Sequence, residues 1–517
     1  MQYFYPLLVY TGLAGIVLLL VLEIIPGLHS WRKPMAAAWL TLLTFTWLIL
    51  PQNGQWVFSI WLPSSVLGGQ LLVAMTPGVW TLGLVLGLVL TGLSWVDAVE
   101  SSPTTPLSGV LVLVILMLTW LALAGGSLLT TLAAWAVFDI FWGVARLLSG
   151  GLGERATFGL ALHGFSSVIL WTVSLLLERS GASALWWLMW PTPAIMSLLV
   201  LAALLRLGVY PFQIILPRRI RQFTPLTLVS SLGPVLGSGL LYRIMALPGT
   251  LQFPSWATAL GALSFLFLGL RAWSYQESHA LYWASYALLG SILVGASVAD
   301  TPHLVLMALA VWIAAWALLS LSRSRDKHLF VWSVPGWLAL LCLLGVPPSP
   351  LGALYRTSLV LIPWPWRLFM IAGWGMTSAV FLREMLDKPP LGSILPAWPW
   401  QQVGLAVGLG LPVVGLLLGL LQGFPLSISW LGMLLWTLAI LVAVLLIWRG
   451  MKTSVWLRRG KPILDFFDLA WLYRSLWQGL EHLLSLVRTV AEVVEGRGAL
   501  LWSLLVLLVV LLVVMNR

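Results

Sequence analysis

The chain has 517 residues, 60% of them hydrophobic and only 8% charged, with a mean hydropathy of +1.00. That much apolar surface excludes a soluble protein. Apolar runs of about 20 residues, one roughly every 25–30 positions, describe an all-α polytopic membrane protein embedded in the lipid bilayer. The net charge is +11 and there is one cysteine, Cys342, which excludes an internal disulfide and any multi-cysteine metal site.

About sixteen spans are expected. The first run, Phe4–Ile25, is long enough to cross and carries no cleavable signal pattern. Span centres fall near Gly15, Leu43, Val85, Leu116, Ala136, Ser166, Leu199, Pro234, Ser264, Leu289, Ile313, Leu341, Gly375, Gly410, Leu438 and Val506. Three spans carry breaks. Pro211 interrupts the seventh, Gly233-Pro234 the eighth, and Pro347-Pro348 the twelfth, which continues through Leu359. Proline inside a span frees backbone carbonyls, and these survive only against protein or a water-filled cavity. Before the last span, Lys461–Glu495 places leucines and valines at helical spacing with Asp468, Arg474, Glu481, Arg488 and Glu492 between them. It reads as an amphipathic helix lying on the membrane surface or along a neighbouring subunit.

Basic residues fall unevenly between alternate loops. One set, from Arg32 and Lys33 to Lys461, holds about eighteen, and the other only Arg179, Arg243, Arg367 and Arg517. The bias places the first set in the cytoplasm and both termini outside. Topology therefore accounts for the positive charge, and no nucleic-acid partner is needed. Many of the 33 tryptophans, Trp31, Trp56, Trp190 and Trp364 among them, lie near span ends, where indole favours the interface.

The chemistry rests on charges at membrane depth: Asp139 in AAWAVFDIFWG, Arg206 in AALLRLGVYPFQ and Arg356 in SPLGALYRTSLVLIP. Such residues are costly and mark ion paths, charge pairs or gates. His163, in LALHGFSSV, is the one clearly intramembrane histidine and a candidate for a hydrated axis or for a backbone-bonded structural role. Glu23 is expected to reach the interface, and Asp300, His303 and His328 carry no assigned role. There is no phosphate-binding glycine loop, no Ser-His-Asp order and no metal-ligand spacing, so neither cofactor nor metal is expected. The glycines read as helix-packing positions.

Six segments, in order, resemble the antiporter-like membrane subunits of respiratory complex I, Mrp-type cation/proton antiporters and membrane-bound hydrogenases. They are SLLTTLAAWAVFD, LLRLGVYPFQIILPRR, PLTLVSSLGPVLGSGLLYR, SHALYWASYALLG, GVPPSPLGALYR and GMTSAVFLREM. The resemblance implies an inverted-repeat antiporter-like fold with broken helices 7, 8 and 12. It implies N-terminal spans over 1–106, repeats over 107–250 and 251–400, and accessory spans over 401–450. A cytoplasmic lateral helix would cover 451–497 and a final span 498–517. It further implies other membrane subunits as partners and, for a prokaryote, the inner membrane.

The chain departs from the family pattern where protons would move. The seventh-helix lysine falls on Arg206 and the twelfth-helix lysine on Arg356. The fifth-helix glutamate falls on Ala136, with Asp139 three residues on and on the same face. The central eighth-helix lysine or histidine falls on Gly237. The lysine opening the Ala-Tyr-Ser-Ser segment falls on Ser278, beside His279, and the histidine after Pro-Phe on Gln213. A relay lysine works because desolvation lets it gain and lose a proton, whereas arginine stays protonated. Three readings follow: a complex I-like or Mrp-like subunit with weakened or lost pumping, a structural subunit of a membrane redox complex, or a stand-alone transporter of a small anion.

Overall fold

The structure is a computed structural model. It describes residues 4–60, 70–99, 105–149, 153–213, 223–249, 253–274, 279–323, 330–386, 399–423, 429–467 and 469–492. The chain divides into two compact units, Met1–Ser454 and Val455–Arg517.

The first unit opens with α1 (Phe4–Ile24) and α2 (Arg32–Ile49), then a hairpin of β1 (Gly54–Ile60) and β2 (Gln70–Met75). There follow α3 (Pro77–Val99), α4 (Ser108–Ala124), α5 (Leu128–Leu148), α6 (Gly153–Arg179) and α7 (Pro193–Leu207). Next come α8 (Pro225–Val229), α9 (Gly233–Met245), α10 (Ser255–Ser274), α11 (His279–Val298) and α12 (Pro302–Arg323). The unit continues through α13 (Phe330–Leu343), α14 (Pro350–Leu361), α15 (Trp364–Leu386) and α16 (Pro399–Gln422), and α17 (Trp430–Phe467) begins in it.

The expected centres from Gly15 to Leu438 all fall inside helices; Val506 lies outside the described residues. Among the described residues nine helices are long and apolar enough to cross a membrane, and α4, α7 and part of α13 are shorter apolar helices. α3, α11 and α12 are buried nearly all round and make the interior. α1, α6 and α17 keep apolar side chains outward, such as Val17, Phe165, Val168 and Leu434. In a bilayer that face meets lipid or a neighbouring helix, so it carries no penalty. Close packing relies on small residues. A Cβ on Gly92 would lie 2.6 Å from the Gly408 carbonyl oxygen, so α3 and α16 touch backbone to backbone.

The hairpin is an addition to the all-helical expectation. Its strands pair antiparallel from Gly54–Met75 to Ile60–Gln70, with an irregularity between Val57 and Ser59. The Gly126 N–H donates to Leu72 O at 2.7 Å, and the Leu72 N–H donates to Thr130 Oγ1 at 2.8 Å. The α4–α5 connection thereby pairs with β2 and satisfies backbone that a bilayer could not.

Of the three expected breaks, two interrupt helices as anticipated. Ser230–Leu232 separate α8 from α9, with Pro234 just inside α9, and Leu344–Ser349 separate α13 from α14, with Pro347 and Pro348 in the gap. The seventh differs: α7 stops at Leu207, ahead of Pro211, because Gly208 takes the left-handed conformation at φ +65°. Residues 214–222 lie outside the description.

In the second unit, the stretch expected as one amphipathic helix from Lys461 to Glu495 is divided. Its start belongs to the end of α17, Leu469 adopts φ +55°, and α18 (Ala470–Glu492) follows. α18 is the most one-sidedly apolar of the described helices.

Candidate buried charge site

Asp139 sits in the interior of α5, started by Ser127, whose Oγ accepts the Thr130 N–H. Arg206 sits in the last turn of α7, where the helix dipole favours a cation. The two meet as a bidentate pair. Nη1 donates to Asp139 Oδ1 at 2.8 Å and Nη2 to Oδ2 at 2.7 Å. Arg206 is fully buried and Asp139 is 6% exposed. Neither charge is tolerable alone in that environment, and a fork-to-carboxylate pair is the geometry that compensates both.

Three neighbours complete the shell. Arg206 Nη2 also donates to Ser167 Oγ at 3.1 Å. The guanidinium lies over Trp135, Cζ 3.7 Å from the ring centre. His163 Nδ1 lies 3.2 Å from Asp139 Oδ1. An ionised carboxylate only accepts, so Nδ1 is the donor in that bond. The His163 ring packs on Trp142 at 4.3 Å between centres, and Trp142 Nε1 donates to Ser230 O at 2.9 Å.

Sequence reasoning named Asp139, Arg206 and His163, and the fold brings those three together. It missed Trp135, Trp142 and Ser167. The signal was there in the spacing: Trp135 and Trp142 stand four residues before and three after Asp139, and Ser167 four after His163, each on one helix face.

Gly237 lies on α9 where α9 meets α7. A Cβ there would fall 2.7 Å from Ala203 O and 2.8 Å from Leu207 N. Position 237 is therefore closed by backbone contact, and no longer side chain fits it without a shift of α9 or α7.

The carbonyls at the breaks are capped by side chains. At the α8–α9 break, Ser230 O accepts from Trp142 of α5, and Ser231 O accepts from Tyr286 Oη of α11 at 3.4 Å. At the α13–α14 break, Leu344 O accepts Trp436 Nε1 at 2.9 Å and Trp374 Nε1 at 3.3 Å. Gly345 O accepts Arg356 Nη1 at 2.8 Å, and Ser349 Oγ donates to Cys342 O at 2.9 Å. Arg356 thus stands apart from the Asp139 cluster. It is 4% exposed and bonds a carbonyl; no carboxylate reaches it among the described residues.

The remaining expected residues are dispersed. Gln213 is buried in the turn after α7, beyond Pro211. His279 opens α11 and is half-buried. Ser278 lies outside the described residues. Arg146 is 1% exposed in the last turn of α5. Its guanidinium is 5.3 Å from the Trp142 ring centre, with Nε and Nη1 unpartnered. No cluster of three His, Cys, Asp or Glu able to hold a metal occurs among the described residues.

No protein-family model and no curated protein matches this chain. Solved structures do. A chain of the Mrp complex from Dietzia sp. DQ12-45-1b is 15% identical with a TM-score of 0.70, over 98% of this chain and 62% of that one; this chain spans less than two thirds of that chain's length. A chain of the membrane-bound sulfane sulfur reductase, an archaeal respiratory membrane complex, is 16% identical with a TM-score of 0.69, over 98% and 99%. A chain of respiratory complex I from Thermus thermophilus is 18% identical with a TM-score of 0.59, over 80% and 98%. At these identities the likeness is one of fold: this integral membrane protein has the fold of chains from those complexes, as the sequence motifs imply.

Proposed function

We propose that this protein is a membrane subunit of a complex I-like or Mrp-like assembly, in which the family's lysine relay is replaced by fixed arginine charges and end-to-end proton pumping is weakened or lost. The observation that carries this reading is the bidentate Asp139–Arg206 pair, at 2.8 and 2.7 Å. It keeps the charges of an ion-path pair and holds them with a cation that does not deprotonate. The closed backbone contact at Gly237 supports the same conclusion, because it removes the stepping-stone between the two halves. On this reading 107–250 and 251–400 are the two repeats, the basic loops face the cytoplasm, and both termini lie outside, in the inner membrane of a prokaryote.

The alternative of a scaffold subunit without any ion movement differs only in what the buried charges do. A stand-alone carrier of small anions is disfavoured at Arg206, whose two terminal nitrogens are already bound to Asp139 and Ser167. Purification in mild detergent is expected to bring down further membrane proteins, and a stable lone protein would reject the subunit reading. Reporter fusions after Arg221 and after Lys461 should both report cytoplasm; an external signal from either would overturn the orientation. Arg206→Lys alone should not restore proton transfer in vesicles, because Gly237 still closes the middle; transfer gained by that single change would overturn the lapsed-relay reading.

A further inference from the structure

The buried charge site contains three ionisable groups, and two are fixed. Asp139 has both oxygens held by a guanidinium, and Arg206 keeps its proton. His163 is the third. Its Nδ1–H donates to Asp139 Oδ1 at 3.2 Å, which leaves the ring's lone pair on Nε2. That nitrogen is fully buried and has no hydrogen-bond partner. It faces the start of α9: a Cβ built on Gly233 would lie 3.0 Å from both Nε2 and Cε1. Glycine at that position is what leaves room for the basic edge of the ring beside α9.

We propose that His163 is the proton-holding residue of this site, binding one proton at Nε2 while Nδ1–H stays bonded to Asp139. The proton is taken from bulk water and returned to it; nothing is oxidised or reduced. The inference rests on reading the site as the remnant of an ion path, and it moves the mobile proton from the seventh helix, where the family keeps its lysine, to α6. The neighbours define the electrostatics. α6 packs on α5 and α7. Burial of the ring opposes the added charge most strongly; from α5 come Asp139, which favours it, and Arg146, which opposes it; from α7 comes Arg206, which also opposes it; and α9 brings Gly233 against the ring. With Gly237 closed, the proton is held locally and not passed along the membrane axis.

The test is nitrogen NMR of the full-length protein, histidine-labelled and in lipid nanodiscs. The chain has six histidines, and His163→Gln identifies the signal. The expected result is a ring that is neutral and protonated on Nδ1 at neutral pH and gains a second proton only as pH falls below about 6.5. A neutral ring protonated on Nε2, or no change as pH falls below that value, overturns the proposal. Gly233→Ala places a methyl against Nε2 and leaves the Asp139 bond in place, so it provides a second arm. It should lower proton affinity at His163 at least tenfold, and an unchanged titration would count against the proposal. Companion membrane proteins are scored in the same purification. Titration without companions upholds the proton site and rejects the subunit reading; companions without titration do the reverse.

Discussion

Arg206 and Arg356 both lie inside apolar segments, yet the fold uses them differently. Arg206 meets a carboxylate and forms a neutral bidentate pair, backed by Trp135 and Ser167. Arg356 meets a helix break and bonds the Gly345 carbonyl freed there. The first is an electrostatic element; the second is a cap on broken backbone with a net charge left over. One residue type, placed twice in apolar segments, takes two roles because what surrounds the guanidinium decides its work. Arginine suits both, since its rigid fork serves a carboxylate and a carbonyl alike.

Coupling measurements break or sharpen that contrast. The largest effect is expected at the pair. Asp139→Asn and Arg206→Ala should each cost about 3–5 kcal/mol by leaving a buried charge uncompensated, with the double variant recovering part of the loss. Denaturant unfolding in mild detergent would show it; strict additivity would mean the pair is not coupled. Arg356→Gln should cost less, about 1.5–3 kcal/mol for one charged hydrogen bond. Combined with Asp139→Asn it should be additive, because the two sites share no partner. A coupling there would join what the geometry separates.

On α9, Gly237→Ala should cost about 1–3 kcal/mol through overpacking against α7. It tests whether position 237 is closed: a neutral or stabilising result would mean that space exists for a longer side chain. The smallest effect is expected for Ser167→Ala, about 0.5–1.5 kcal/mol for one hydrogen bond, with the Asp139–Arg206 coupling retained. A loss as large as that of Arg206→Ala would show that the serine, and not the carboxylate, holds the guanidinium.

Much of this was legible in the chain. Apolar runs located the helices because a bilayer accepts backbone only when it is internally bonded. Gly233-Pro234 and Pro347-Pro348 located two breaks because proline cannot continue the ladder. Gly208 explains why the third was misplaced: glycine had already ended α7 before Pro211 was reached. The hairpin at Gly54–Met75 was not legible, since its strands are short and apolar and do not differ from span ends in composition. Leu469, whose left-handed φ separates α17 from α18, gave no signal at all.

By itself the sequence determined the membrane class, the order of the helices, the two interrupted spans and the presence of Asp139, Arg206 and Arg356 inside apolar segments. Those follow from local composition and spacing, which act within one helix at a time. Only the tertiary structure decided that Asp139, Arg206 and His163 share one site, that Arg356 caps Gly345, that Arg146 is buried and that Gly237 is closed by Ala203 and Leu207. These depend on which helix faces which, and that is set by side-chain packing between segments far apart in the chain.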